Sequence, residues 1–224
     1  EGPALPHRGR LHLPGDRRVL LKAFASLLLE HNRGVNLISR ADEEQVFDHH
    51  ILHSLALSFK RFPAGSTVVD WGTGGGLPAI PLAIVFPECQ FIAVDATRKK
   101  VNAVRAIGRA LRLDNLDTWY GRAEQFSGKL DYSVSRATAP LSDLWSWHKR
   151  AATPGADEDG CWAHGLLCLK GGDLTEEISR ARRIYPGLEV VIYRIDELYE
   201  ASYFAQKVIL ECRRSDELQR RENR

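Results

Sequence analysis

Apolar residues recur along this chain in two rhythms, and the change between them divides it into two parts. From Asp16 to about Glu30 the apolar residues return every three or four positions, a spacing that predicts an amphipathic helix. The same spacing predicts a second helix from Asp42 to about Phe59, followed by a turn. We therefore expect residues 1–60 to form an N-terminal helical extension and residues 214–224 to form a charged tail.

Beyond residue 60, short apolar runs alternate with helical patterns. Alternation of strands and helices predicts a mostly parallel sheet with helices on both faces, so we expect residues 61–213 to form one α/β domain. The predicted strands are Thr67–Asp70, Phe91–Asp95, Asp117–Tyr120, Tyr132–Ser135, Leu166–Leu169, Val190–Tyr193 and Val208–Glu211. The predicted helices that lie between most of them are Pro78–Phe86, Arg98–Leu113, Leu141–Arg150 and Leu174–Ile184.

A glycine-rich loop with the spacing D-x-G-x-G-x-G runs from Asp70 to Gly76, between the first predicted strand and the next predicted helix. Glycine lets the backbone turn tightly and approach a ligand closely, because it has no Cβ atom. The spacing alone leaves three interpretations open: a plain strand–helix turn, a dinucleotide site, and a site for another nucleoside cofactor.

Two carboxylates favour a nucleoside cofactor that carries a positive charge. Asp70 comes two positions before the first glycine, where a carboxylate repels a pyrophosphate but tolerates a cationic sulfonium. Asp95 ends the next predicted strand, where a carboxylate can accept hydrogen bonds from both hydroxyls of a ribose. Together they favour S-adenosylmethionine over a nicotinamide dinucleotide, which stays open as an alternative.

The overall charge is small, because 31 Lys and Arg residues face 29 Asp and Glu residues. A net charge of +2 neither requires nor excludes a nucleic-acid partner. In the predicted helix that follows Thr97, expected to be its N-cap, four arginines fall within about 60° of one another. Such a stripe suits a phosphate backbone, and an ordinary solvated helix face is the alternative. The four are Arg98, Arg105, Arg109 and Arg112, and further arginines of the extension are Arg8, Arg10, Arg17, Arg18, Arg33 and Arg40.

Other features exclude whole classes of protein. No run approaches the roughly 20 apolar residues that span a bilayer, so we expect no membrane segment. The four cysteines are spaced neither as a zinc ribbon nor as a disulfide framework. His49 and His53 share a face of the predicted helix, but no third ligand in register completes a metal site. We therefore expect a cytoplasmic, metal-free protein with free thiols.

Six motifs that follow one another along the chain make it similar to a known family. They are Asn36-Leu37-Ile38-Ser39, His50-Ile51-Leu52-His53-Ser54-Leu55, Asp70 to Leu82, Arg122-Ala123-Glu124, Ser135-Arg136-Ala137 and Leu169-Lys170-Gly171-Gly172. From about Phe24 to Glu211 the chain resembles the glucose-inhibited division protein B family, bacterial methyltransferases that act on guanine N7 in small-subunit (16S) ribosomal RNA. The resemblance implies the class I S-adenosylmethionine-dependent methyltransferase fold, a Rossmann-like, seven-stranded, mostly parallel sheet whose last strand is antiparallel.

The resemblance also implies roles for individual residues. It places Gly72 and Leu77 on the methionine side of S-adenosylmethionine and Asp95 on its ribose. It places Ala123 and Glu124 near the adenine. The candidate cofactor-binding residues are therefore Asp70, Gly72, Gly74, Leu77, Asp95, Ala123, Glu124 and Arg136, the last of which also lies near the target base.

Two residues depart from the family pattern. Trp71 stands where the family usually has a small aliphatic residue, and Ala79 stands where it usually has glycine. A tryptophan after the first strand is expected to narrow the mouth of the pocket or to stack on a base. Neither change removes a candidate cofactor contact, so both bear on the choice of target.

Guanine N7 carries a lone pair at neutral pH, so its methylation needs no general base. We predict no catalytic base and a reaction governed by the positioning of two reactants. Arg136 is a candidate donor to guanine O6 or to a phosphate, and a strand-end ion pair is the alternative. Lys170 ends another strand at the same edge and is a candidate phosphate contact.

Two further functions stay open. The first keeps the cofactor but uses another RNA position or a small molecule as acceptor. The second is a non-catalytic RNA-binding protein of ribosome assembly. In the leading interpretation the chain is a monomer whose partner is ribosomal RNA or the small ribosomal subunit.

Overall fold

The N-terminal region begins with one long helix. The residues that the structure, a computed structural model, describes are 13–136, 139–199 and 201–215. Helix α1 spans Gly15–Asn32 and buries Leu21, Phe24 and Leu28 on one face. This confirms the amphipathic helix predicted from Asp16. Among the extension's arginines, Arg8 and Arg10 lie outside the described residues.

Residues 40–59 do not form the single regular helix that the spacing predicts from Asp42 to Phe59. They form four short pieces, which are a 3-10 turn at Arg40–Gln45, a π-helical stretch at Val46–Leu52, helix α2 at His53–Leu55 and a second 3-10 turn at Ala56–Phe59. The reason lies in burial on both sides. All of residues 53–57 are buried, because the segment packs into the core around α1 and also into the core beside the sheet. A one-sided helix cannot do this without changing its pitch.

The seven predicted strands form one sheet. They are β1 (Thr67–Trp71), β2 (Gln90–Asp95), β3 (Leu116–Tyr120), β4 (Tyr132–Arg136), β5 (Leu166–Gly171), β6 (Leu188–Arg194) and β7 (Lys207–Arg214). Their order across the sheet is β3-β2-β1-β4-β5-β7-β6. Neighbours from β3 to β5 are parallel, whereas β7 runs antiparallel to both β5 and β6. This confirms the expected mostly parallel sheet with its last strand reversed.

Helices connect the parallel strands as the alternation predicts. They are α3 (Ala79–Val85), α4 (Arg98–Ala110), α5 (Leu141–Ala151) and α6 (Thr175–Ile184). The chain leaves β1 on one side to form β2 and β3, and it returns on the other side to form β4 and β5. Ligands of such sheets bind at this reversal, outside the carboxyl ends of the strands. Among the described residues, no helix is both long enough and apolar enough to cross a membrane.

Trp71 lies in the core, which makes the expected position at the mouth of a pocket wrong. Its side chain is fully buried and meets the rings of Phe126 and Trp147, at centroid distances of 5.3 and 6.2 Å. Alternate residues of a strand point to opposite faces of a sheet. Val69 and Trp71 therefore enter the core on the α5 side. Ala79, the other departure from the family pattern, is also fully buried.

The cysteines are free, as the sequence predicts. Cys89, Cys168 and Cys212 are buried, and Cys161 is partly exposed. Burial and a nearby carboxylate raise the pKa of Cys89 to about 12, so this thiol stays protonated.

Candidate cofactor and substrate site

The loop after β1 turns on glycines that have left-handed backbone angles. The φ angles are 69° at Gly72, 57° at Gly74 and 83° at Gly76, values that other residues adopt only with strain. The fourth glycine of the loop, Gly75, is needed for space. A Cβ atom on it would lie 2.8 Å from Leu28 of α1. The loop is therefore wedged between the N-terminal extension and the sheet.

Asp70 holds this loop together from inside the protein. Its Oδ2 atom accepts hydrogen bonds from the Thr73 hydroxyl at 2.6 Å and from the Ala79 N–H at 3.2 Å. Its Oδ1 atom has no partner among the described residues. Complete burial raises the pKa of Asp70 to about 7, against the effect of these hydrogen bonds. The structure thus gives Asp70 an organising role in the loop, and its direct contact with the cofactor stays a prediction.

Asp95, at the end of β2, reaches across to the loop. Its Oδ2 atom accepts from the Gly74 N–H at 3.0 Å, and its Oδ1 atom accepts from the Thr97 N–H at 2.8 Å. Because each carboxylate oxygen accepts more than one hydrogen bond, this half-buried side chain can still receive two ribose hydroxyls. The residues therefore fit a nucleoside cofactor. Thr97 is the N-cap residue of α4, as expected, but its side chain makes no capping hydrogen bond.

Three other candidate cofactor residues follow β1 and β3, at the edge of the sheet where those strands end. Leu77 follows the loop, and its side chain is buried in the core around α1. Ala123 and Glu124 open a 3-10 turn after β3. Ala123 is buried and its carbonyl accepts from the Arg150 guanidinium, whereas Glu124 is exposed. Their predicted contacts with the cofactor stay predictions.

Arg136, at the end of β4, meets the N-terminal extension. Its Nη1 atom lies 2.6 Å from Nδ1 of His50. Arginine can only donate, so His50 Nδ1 accepts and its ring is neutral. Burial, followed by the charge of Arg136, lowers the pKa of His50 to about 4, which agrees with a neutral ring. Sequence reasoning missed this contact, because the His50 motif gave no sign of what it would face.

The histidines next to His50 pack against the segment between β6 and β7. The His49 ring stacks on Tyr203 at 3.8 Å, and its Nδ1 atom lies 3.0 Å from Asp42 Oδ1. His53 is buried, and neither ring nitrogen has a partner among the described residues. Burial lowers the pKa of His53 to about 3. Over the described ranges, no group of His, Cys, Asp and Glu residues is arranged to hold a metal ion.

A cavity of about 800 Å³ lies beside the end of β5. Lys170 and His53 contribute to its walls. The Lys170 Nζ atom donates to Glu177 Oε1 and to the carbonyl of Ala139, each at 2.8 Å. Lys170 is thus held in an ion pair at the wall of a cavity, and its predicted phosphate contact stays untested.

Of the four arginines predicted to form a stripe on one helix, Arg112 does not lie on the helix. Helix α4 ends at Ala110, and Arg112 lies beyond it with a φ angle of 55°. That angle is typical of the residue that follows a helix end, and it takes Arg112 out of helical register. The guanidinium of Arg98 covers the exposed ring of Tyr120, at 4.6 Å from the ring centroid. Arg105 donates to the Thr118 hydroxyl at 3.0 Å, so two of the arginines lie along edge strand β3.

Comparison with known proteins connects this site to one family. The family model described as rRNA small subunit methyltransferase G, GidB, matches residues 17–202. The ribosomal RNA small subunit methyltransferase G of Salinibacter ruber is 48% identical over 203 residues, which cover 90% of this chain and 94% of the relative. The protein of the same name from Bacteroides thetaiotaomicron is 37% identical over 199 residues, which cover 88% of this chain and 93% of the relative.

Solved structures agree with the fold. The magnesium protoporphyrin IX methyltransferase of Synechocystis, solved with bound S-adenosylmethionine, superposes with a TM-score of 0.55 at 16% identity. It covers 92% of this chain and 100% of its own. A ribosomal protein L11 methylase from Lactobacillus delbrueckii gives a TM-score of 0.54 at 16% identity, over 73% of this chain and 77% of its own. The match to a methyltransferase family identifies S-adenosylmethionine as the cofactor. The chain belongs to the rRNA small subunit methyltransferase G family.

Proposed function

We propose that this protein transfers a methyl group from S-adenosylmethionine to N7 of a guanine in 16S ribosomal RNA. The observation that carries the proposal is the juxtaposition at one edge of the sheet. There Asp95 accepts from the Gly74 N–H of the glycine loop, an arrangement that suits a nucleoside. Arg136 lies two strands from Asp95, at the end of β4. S-adenosylmethionine supplies the electrophilic methyl group when it is bound.

The protein's own contribution is to hold and orient the two reactants. Asp95 accepts from the ribose of the cofactor, while Gly72 and Gly74 let the backbone come close to it. Arg136 donates to guanine O6 or to a phosphate of the RNA. N7 attacks with its own lone pair, so no side chain has to remove a proton. Positioning of this kind is enough to account for a large rate enhancement.

The extension belongs to the same function. We infer that residues 1–60 form the extension of a methyltransferase domain over residues 61–213, because its His50 fixes the Arg136 guanidinium. Arg98, Arg105 and Arg109 on α4 form a basic face that suits the RNA backbone. Four free cysteines and a ribosomal substrate support a cytoplasmic location. The monomeric state stays a prediction.

The test is methyl transfer from labelled cofactor to small ribosomal subunits, and separately to free 16S RNA, from a strain that lacks this activity. Borohydride followed by aniline cleaves RNA at N7-methylguanosine, so this treatment maps both the position and the atom. We expect one labelled guanine with such a cleavage. Tight cofactor binding without any incorporation would contradict the proposal.

A further inference from the structure

The cavity beside β5 lies outside the cofactor crevice. It is about 800 Å³ in volume, within the usual range for small-molecule sites. In the sheet, β4 and β5 lie on the opposite side of β1 from β2 and its Asp95. The charged and polar side chains on its walls are His53, Lys170, Glu176, Glu177, Arg180, Arg183 and Lys207.

One wall presents a carboxylate and an ammonium group that are fixed side by side. Glu177 Oε1 accepts from Lys170 Nζ at 2.8 Å and from the Leu141 N–H at the start of α5 at 2.7 Å. Lys170 uses a second proton on the Ala139 carbonyl. Among the described residues no donor reaches Glu177 Oε2, and no acceptor takes the third proton of Lys170. The pair therefore has one acceptor and one donor left for a ligand.

We propose that this Glu177–Lys170 pair identifies the target base as guanine, an inference that rests on the function proposed above. Round its edge guanine presents the N2 amino group, N1–H, O6 and N7 in that order. Glu177 Oε2 accepts from N1–H and the N2 amino group, and Lys170 Nζ donates to O6. Adenine presents an acceptor at N1 and a donor at N6, so it meets like groups at both positions.

The pair lies close to the end of β4. Ala139 and Leu141, which bond to Lys170 and Glu177, follow Arg136 by three and five positions. A base held by the pair therefore lies near Arg136, at the same edge of the sheet as the glycine loop.

His53 gives a second reason to place a ligand in this cavity. His53 is only 5% exposed and contributes to the cavity wall. Neither of its ring nitrogens has a partner among the described residues. An unsatisfied buried polar group is costly and is expected to find a partner. A bound nucleotide supplies donors and acceptors that the protein itself does not.

Cations at the rim of the cavity suit the phosphates of the RNA strand to which the base belongs. Arg180 and Arg183 lie one turn apart on α6, and Lys207 opens β7. Over the described residues these three cations form no ion pair. Phosphates on either side of a splayed nucleotide fit such a rim, which favours a nucleotide within an RNA strand over a free base.

The experiment compares substrates that differ in one base. Small-subunit RNA is assembled by ligation with guanosine, inosine or adenosine at the mapped position, and kcat/KM is measured for wild type and for Glu177→Gln. Inosine lacks only the N2 amino group. We expect wild type to prefer guanosine over inosine by about tenfold or more, as for the loss of a hydrogen bond to a charged group, and to leave adenosine unmodified.

Glu177→Gln keeps an oxygen for the Leu141 N–H but replaces an acceptor by an amide donor. For this variant we expect the ratio of kcat/KM for guanosine to kcat/KM for inosine to fall to a value between about 1 and 3. Its activity on adenosine, relative to guanosine, should rise. Glu189→Gln is the matched control, because it also removes the carboxylate of an ion pair. Glu189 lies at the start of β6, and its Oε2 atom is 3.1 Å from Arg213 Nε. The control variant should keep the wild-type ratio.

Each outcome separates the two proposals. Equal rates of wild type on guanosine and inosine would overturn the assignment of Glu177, even if the variant failed to fold. An unchanged ratio in a folded Glu177→Gln protein would overturn it as well. Absence of any transfer to guanosine by wild type would instead contradict the proposed function itself.

Discussion

The two halves of the site are built in different ways. The cofactor half is local, because Asp70 bonds to Thr73 and Ala79 within one loop and Asp95 lies on the next strand. The substrate half draws on distant parts of the chain, such as His50 with Arg136, which are 86 positions apart. A local loop can be identified from sequence alone. The substrate half depends on tertiary packing, because its residues are far apart in the chain. Mutations in one half should therefore affect either cofactor binding or RNA methylation, but not both.

The largest effect should be on stability, at the residue between the two halves. Trp71→Ala removes a fully buried ring from the core and should lower the free energy of unfolding by about 3–5 kcal/mol. Trp71→Phe keeps most of the packing with Phe126 and should cost far less. Urea denaturation measures both. A small loss in the alanine variant together with weakened RNA binding would place the side chain at the pocket after all.

The next largest effect should be on the affinity for the cofactor alone. Asp95→Asn removes the charge that is proposed to accept hydrogen bonds from the ribose. The dissociation constant of S-adenosylmethionine should therefore rise by about 100-fold. Titration calorimetry measures it. Asp117→Asn on the neighbouring strand is the matched control. Among the described residues, the Asp117 carboxylate accepts only from the Gln90 side chain, at the exposed surface. Equal affinities for the Asp95 variant and wild type would remove Asp95 from the cofactor site.

Arg136→Ala should act on the other half. We expect kcat/KM for RNA to fall by about 100-fold, because the charged donor that is proposed to contact the target is lost. Cofactor affinity should change by about threefold or less. Arg213→Ala, which removes a surface arginine of β7, serves as the control. Wild-type transfer rates in the Arg136 variant would show that its guanidinium does not position the RNA.

The pH dependence of stability should report the buried histidines. Because the pKa of His50 is lowered to about 4 in the folded protein, the unfolded chain binds its proton first as pH falls below about 6.5. Stability should therefore decrease from about pH 6.5 to pH 4, by about 3 kcal/mol at most from this residue. In His50→Asn this slope should be shallower, while His53 and His148, shifted in the same direction, still titrate. The free energy of unfolding is measured by denaturation at a series of pH values. Equal slopes against pH for wild type and His50→Asn would contradict the contact between a neutral His50 and Arg136.

The smallest effect concerns the basic face. Arg105→Glu together with Arg109→Glu should weaken RNA binding and reduce its salt dependence, with the slope of log K against log salt lower by about two. Arg18→Glu with Arg33→Glu changes the charge equally on the extension and distinguishes the two surfaces. If the slope stays at the wild-type value, the arginines of α4 are an ordinary solvated face.

The sequence predicts most of the fold and half of the site. The central strands β1, β4 and β5 follow from short apolar runs, because strands in the middle of a parallel sheet are buried on both faces. The helix expected from Asp42 to Phe59 fails because residues 53–57 are buried on every side, which no one-sided pattern describes. Trp71 was misplaced because the sequence does not show which sheet face a strand residue meets. The glycine loop and Asp95 come directly from spacing.

The substrate half was only partly visible in the sequence. Arg136 and Lys170 follow from the family resemblance, but Glu177 lies on a helix and becomes relevant only because α6 packs beside β5. The contact between Tyr203 and His49 spans 154 positions. Such pairings are determined by packing, so that part of the site needs the structure.

The central claim is that N7 of a guanine receives the methyl group at this edge. The most direct test replaces the mapped guanosine in the RNA by 7-deazaguanosine, which keeps N1–H, the N2 amino group and O6 but has a C–H group in place of N7. We predict that this RNA binds as tightly as the guanosine RNA and that its substituted position receives no label. Methylation of the 7-deazaguanosine position at the wild-type rate would contradict the account.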